Sequence, residues 1–170
     1  MTNVVALVRS WSAERINAAA FCLRNCGHTS GVVLTVQGKH KKSYAVKWRV
    51  KHTEKLKRTF GDHQVAAELG AEGMAALLIE RHTGHRVHTR TFKGPGFDYY
   101  IGPDPDPHVI VPVNAGRLEI SGIMKSSDTV VRSRVKQKQK QTRKSKDLKI
   151  PAFVIVSEFG TPQSHVQKGQ

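Results

Sequence analysis

Between Asp62 and Glu158 the apolar residues change period in a set order: helical, three times alternating, helical again, and alternating once more. That order constrains the fold more than any other feature of the chain. In the first helical stretch, over 62–81, Val65, Leu69, Glu72, Ala76 and Ile79 recur at offsets of three and four; Asp62 can cap its start, and Thr83-Gly84 closes it. Alternating runs follow over 85–91, 96–101 and 117–123, then a helical stretch over 127–144 and a mostly apolar run over 151–158 that is expected to be a central strand. The pattern predicts an α/β fold whose sheet is flanked by helices.

Two acids lie inside these alternating runs. In FDYYI, Phe97, Tyr99 and Ile101 fall on one face and Asp98 and Tyr100 on the other; in RLEIS, Leu118 and Ile120 alternate against Glu119 and Ser121. Asp98 and Glu119 are therefore expected to converge on one side of the sheet, where they could serve as ligands for Mg²⁺ or Mn²⁺, a hard cation that takes one or two carboxylates with water and phosphate. Taken singly, each acid also has a plainer reading. Asp98 could be a turn acid beside Gly96, and Glu119 a surface strand residue paired with Arg117 or Lys125. Glu72 interrupts an apolar stripe, so it should meet a cation or lie at the stripe's edge and reach water.

The chain has 170 residues, room for one compact domain with a substantial core. Residues 1–61 are read as an N-terminal helix plus a basic β-hairpin, 62–160 as the core and 161–170 as a frayed polar tail. The helix is expected over 12–25, the hairpin strands over 31–37 and 44–51, and a loop over 51–62. Lys+Arg number 28 against Asp+Glu 13, a net charge of +15, which draws polyanions and nucleic acid first among them. Lys41, Lys42, Lys47 and Arg49 on the hairpin, and Arg134, Lys136 and Lys138 on the last helix, are the candidate phosphate contacts, giving sequence-independent, salt-sensitive binding.

No apolar run approaches the length of a membrane span and no secretory signal is evident, so a cytoplasmic protein without a membrane partner is expected. Cys22, Cys26 and His28 lack a usual zinc spacing, and buried thiols are expected instead. His82, His85 and His88 span a helix end and a strand, which does not align them on one ion. Trp11, Trp48 and Phe60 are read as packing residues, and with aromatic content of 6% no single-strand stacking signature is apparent.

The order αβββαβ, with Glu72 in GAEGMA, Asp98 in GFD, Glu119 in LEIS and Gln137 or Gln141 in VKQKQKQ, resembles the restriction-endonuclease-like core of the PD-(D/E)XK nuclease superfamily, especially its Holliday-junction-resolvase and Mrr-like branches. The likeness covers roughly the last two thirds of the chain, and its motifs are short. It implies a mixed sheet flanked by helices, a catalytic set of Glu72, Asp98, Glu119, Ser121 and Gln137, a metal held by Asp98 and Glu119, and a duplex or branched DNA substrate. One position departs from the pattern: Ser121 stands where the family has Lys, and a hydroxyl brings no cation. Lys125, Lys136 or Lys138 could supply the charge from elsewhere. Three further readings are an inactive relative that keeps the fold as a DNA-binding scaffold, a non-enzymatic structural or RNA-associated basic protein whose acids are incidental, and a protein-interaction subunit that dimerises through its hairpin edge.

Overall fold

The computed structural model describes residues 3–6, 13–51, 53–92, 94–103 and 108–169. Its elements run β1 (Asn3–Ala6), α1 (Ala13–Asn25), β2 (Val32–Gln37), β3 (Lys42–Lys47), α2 (Glu54–Thr59), α3 (His63–Thr83), β4 (Arg86–Arg90), β5 (Tyr99–Gly102), β6 (Gly116–Ile123), α4 (Asp128–Thr142), a 3₁₀ segment (Arg143–Leu148), β7 (Ala152–Glu158) and β8 (Gln163–Gly169). All eight strands form one mixed sheet in the order β1-β3-β2-β8-β7-β6-β5-β4. The chain is thus α/β, and from Asp62 to Glu158 it follows the helix and strand order that the periodicity predicts.

α3 begins where Asp62 Oδ1 accepts the backbone N–H groups of Gln64 (2.9 Å) and Val65 (3.1 Å), and it ends at Gly84, whose φ of 72° is one a glycine adopts without strain. One side of this helix is built from Ala66, Ala67, Gly70, Ala71, Gly73 and Ala75, all buried. The small residues let backbones approach: a Cβ on Gly73 would stand 2.7 Å from the Arg15 carbonyl oxygen of α1. The same small residues let the sheet approach: Gly122 of β6 meets α3 so closely that a Cβ there would overlap the Ala67 carbonyl.

Residue alternation on β6 and β7 divides the core between the two faces of the sheet. Leu118, Ile120 and Ile155 join the large cluster with α1 and α3, whereas Val154 and Val156 pack on Val131 and Val135 of α4. β7 is apolar on both faces and lies between β6 and β8, so it is central as expected.

Several expectations are corrected. The polar tail is not frayed: β8 pairs antiparallel with β7 along its whole length and parallel with β2. Its polar side chains find partners, Ser164 Oγ with Ser157 Oγ at 2.8 Å and Gln163 Nε2 donating to Asp128 Oδ1 at 2.9 Å, so burial carries no unsatisfied groups there. The expected loop after the hairpin contains α2, capped by Thr53 Oγ1. The hairpin is no appendage, because β8 joins β2 to the rest of the sheet. Nor does the hairpin offer a free edge for dimerisation, since β1 pairs with β3 and β8 with β2. Ser12, Trp11, Asp104 and Asp106 lie outside the described residues.

Candidate active site

β5 hydrogen-bonds to β6 only from Tyr99 opposite Leu118 to Ile101 opposite Gly116, so the C-terminal half of β6 has no strand on that side. Asp98, one residue ahead of β5, covers the first step of the gap. Its backbone N–H donates to Leu118 O at 2.9 Å and its Oδ2 accepts the Ile120 N–H at 2.8 Å. A side-chain oxygen thereby stands in for the next ladder carbonyl, and the carboxyl is fixed beside Glu119. Beyond it opens a cleft of about 200 Å³ with Glu68 and Glu72 of α3 on one wall and Arg134 and Lys138 of α4 on the other, and Arg90, Asp98, Ile120 and Ser121 between them.

Arg117, Glu119 and Ser121 project from β6 toward α4, which Val131 and Val135 seat on β7. The seating aims Arg134, Lys138 and Gln141, spaced four and three apart, at the acids. Lys138 Nζ donates to Glu119 Oε1 at 2.5 Å, and Arg134 Nη1 donates to Ser121 Oγ at 3.0 Å. Glu119 is fully buried and its Oε2 has no hydrogen-bond partner. Burial first, and then the Asp98 carboxylate, push the Glu119 carboxyl up to about 7, although Lys138 pulls the other way.

Glu72 lines the same cleft, with its charge already met. Arg15 Nε lies 2.5 Å from its Oε2 and Arg90 Nη2 3.7 Å from its Oε1, so the acid in the apolar stripe is matched by bases. Arg15 Nη2 also reaches the Tyr99 hydroxyl at 3.5 Å, and the Arg90 guanidinium sits over the Tyr99 ring. Close packing of α1 on α3 at Gly73 is what places Arg15 there.

Glu72, Asp98, Ser121, Arg134 and Lys138 are thus gathered on one cleft, with Glu119 directly beneath. Gln137 and Lys136 are not among them: both are exposed, while Gln141 lines the adjoining recess with Asp98 and Glu119. Lys136 belongs to another groove, with Arg132, Gln37 and His165. Lys41, Lys42, Lys47 and Arg49 are exposed on the hairpin, whose strand β3 lies four strand spacings from β6, roughly 19 Å. Phe97 departs from its expected face. Its ring packs edge-on against Tyr100, 5.1 Å between centroids, because regular alternation begins only with β5 at Tyr99. Glu119 is not the surface residue of its plainer reading, being buried and paired with Lys138.

Arg15, Glu68 and Arg90 went unmarked in the sequence, where nothing sets them apart from the other charged residues of a basic chain. Cys22 is buried, and Cys26 is half-buried with its Sγ donating to Met124 O at 3.3 Å. His28 Nε2 contacts the Phe159 and Gly160 carbonyls.

Among the described residues no group of three or more His, Cys, Asp or Glu side chains is arranged to hold a metal ion. Asp98 and Glu119 are the pair that could. Their proximity, and the unpartnered Glu119 Oε2, leave negative charge that a divalent cation would satisfy. No described helix is long and apolar enough to cross a membrane. No protein-family model, curated protein or solved structure matches the chain.

Proposed function

We propose that the cleft binds a nucleic-acid phosphodiester and hydrolyses it in the manner of the PD-(D/E)XK nucleases, with cations from α4 in place of the strand lysine. One observation carries this reading: Lys138 and Arg134 reach from α4 onto Glu119 and Ser121, the positions of the acid and the missing lysine. The order α3, β4, β5, β6, α4, β7, with β4, β5 and β6 antiparallel and β7 parallel to β6, supports a restriction-endonuclease-like core.

Asp98 and Glu119 would hold Mg²⁺ or Mn²⁺; the ion, when bound, polarises the phosphodiester and lowers the pKa of a water. Lys138 Nζ and the Arg134 guanidinium place positive charge where phosphoryl oxygens gain negative charge during attack. Arg90, fixed over Tyr99, is a further phosphate donor at the cleft's rim. Glu72 holds Arg15 and Arg90 in place and is a positioning residue. The net charge of +15 supports a nucleic acid as the polyanion, drawn in by long-range attraction, with duplex or branched DNA the form that the resemblance implies.

A second reading, a nucleic-acid-binding relative without hydrolytic activity, is favoured by Ser121 and because, among the described residues, no third acid joins Asp98 and Glu119 in an arrangement that could hold an ion. Incubating plasmid and branched DNA with the protein and Mg²⁺ or Mn²⁺ separates the two. Hydrolysis that Asp98→Ala and Glu119→Ala each reduce by at least about 10³-fold supports the nuclease. Binding by the wild type without hydrolysis supports the inactive relative, and preference for RNA over duplex DNA would move the reading to an RNA-associated protein.

A further inference from the structure

Phe92 is 93% exposed, alone among the six phenylalanines: Phe21, Phe60, Phe97 and Phe159 are buried, and Phe153 packs against the core. Single exposed apolar residues are ordinary, so exposure by itself assigns nothing. Its location adds a second observation. Phe92 stands at the mouth of a recess of about 260 Å³ that shares Arg90 and Asp98 with the charged cleft and has Gln141 on its α4 side. The turn between β4 and β5 passes through Gly94 and Gly96 at φ of 132° and 82°; a Cβ on Gly94 would meet nothing within 4 Å, whereas one on Gly96 would overlap the Gln141 carbonyl, so the turn presses on α4 at the floor of the recess. Two adjoining hollows therefore meet at Asp98 and Arg90, one walled by cations and acids, the other bearing an aromatic ring and a primary amide.

We propose that the recess receives an unpaired nucleobase stacked on Phe92 while the adjacent phosphate occupies the charged cleft, so that the substrate of this site is a single strand, or the single-stranded part of a branched structure. The proposal rests on the reading of the cleft as a phosphodiester site and, within it, moves the substrate from a continuous duplex to a strand with an unpaired base. A base within a duplex has both faces covered by its neighbours and offers only edges, whereas an unpaired base offers a face to an aromatic ring. The Gln141 amide carries both donor and acceptor and can meet the edge of any base, which makes the recess tolerant of sequence. Arg90, shared by the two hollows, ties the base to its own phosphate.

The test measures binding of the full-length protein, without divalent metal, to a fluorescent single strand, to a duplex of equal length, and to a single strand with abasic residues at its centre. Phe92→Ala is expected to weaken single-strand binding by about 5- to 100-fold. Duplex and abasic-strand binding should stay within about twofold, and Phe92→Tyr should retain the wild-type preference. Equal losses on all three ligands, or no loss on the single strand, would overturn the stacking proposal while leaving the phosphate cleft standing. If the wild type binds none of the three at low salt, the cleft reading itself fails, and the stacking proposal with it. Thermal denaturation of Phe92→Ala matching the wild type confirms that an intact fold was measured, as expected for so exposed a side chain.

Discussion

Glu158 and Glu119 are buried glutamates on neighbouring parallel strands, 1% and 0% exposed, yet their surroundings differ in kind. Glu158 closes the corner after β7: its Oε1 accepts the N–H groups of Gly160 (2.7 Å) and Ser126 (3.3 Å), and its Oε2 accepts that of Thr161 (2.9 Å). Glu119 has one lysine on one oxygen, nothing on the other, and a second carboxyl at its side. A charge saturated by backbone donors braces the chain; one left half-satisfied beside a like charge raises the energy of the apo protein and is poised for a cation or a proton. Arg117, two residues before Glu119 on the same face of β6, is of the bracing kind. Its guanidinium donates to Thr142 O, Ser145 Oγ and Ile150 O and fixes the end of α4.

On the reading of the cleft as a hydrolytic site, Lys138→Met attacks the poised side of this contrast and, after removal of either carboxylate, should have the largest effect, a fall of about 10² to 10³ in the single-turnover hydrolysis rate at saturating Mg²⁺. Lys138→Arg should recover part of it, since the charge returns. Glu158→Ala attacks the bracing side. Three backbone N–H groups at a part-buried corner lose their acceptor, so urea denaturation should show a stability loss of about 2 kcal/mol, with the hydrolysis rate per folded molecule unchanged. Were that rate to fall with Lys138→Met and Glu158→Ala alike, the two glutamates would not differ in role.

The smallest effect sharpens the contrast through pH. Glu119 has its folded-state pKa, about 7, above the value of a free carboxyl, so between the two the folded protein holds the extra proton. Its contribution to stability is complete below the free-carboxyl range and is lost as pH rises through about 7. Glu119→Gln, which resembles the protonated form, should therefore melt a few degrees above the wild type at pH 8 and close to it at pH 5 in metal-free buffer. An identical difference at both pH values would remove the proton from the account.

Period-two alternation was enough to turn Glu119 and Ser121 toward α4, because inside β6 strand geometry leaves side chains no other choice; Asp98 lies ahead of β5 and comes beside Glu119 by another route, its Oδ2 accepting the Ile120 N–H at the open edge of β6. The same logic fails for β8. Its residues QSHVQKG show no apolar alternation, and they become an interior strand of the sheet only because Ser157, Asp128 and the β2 and β7 backbones supply hydrogen-bond partners that are remote in sequence. Phe97 was misplaced for a local reason: the chain is still irregular there, and alternation holds only inside a strand.

The helices divide in the same way. That Lys136 and Lys138 cannot share an environment follows from helical geometry, but which of them enters the site depends on how α4 is turned about its axis, and Val131 and Val135 settle that by packing on Val154 and Val156. Glu72 needed a partner by electrostatics alone, yet its partner Arg15 is 57 positions away, brought near by contact between α1 and the glycine-bearing side of α3. Local periodicity and charge thus determined which elements form and which residues must be satisfied. The choice of partner was decided by tertiary packing, because a cation and an acid distant in the chain acquire a fixed separation only when the surfaces that carry them interlock.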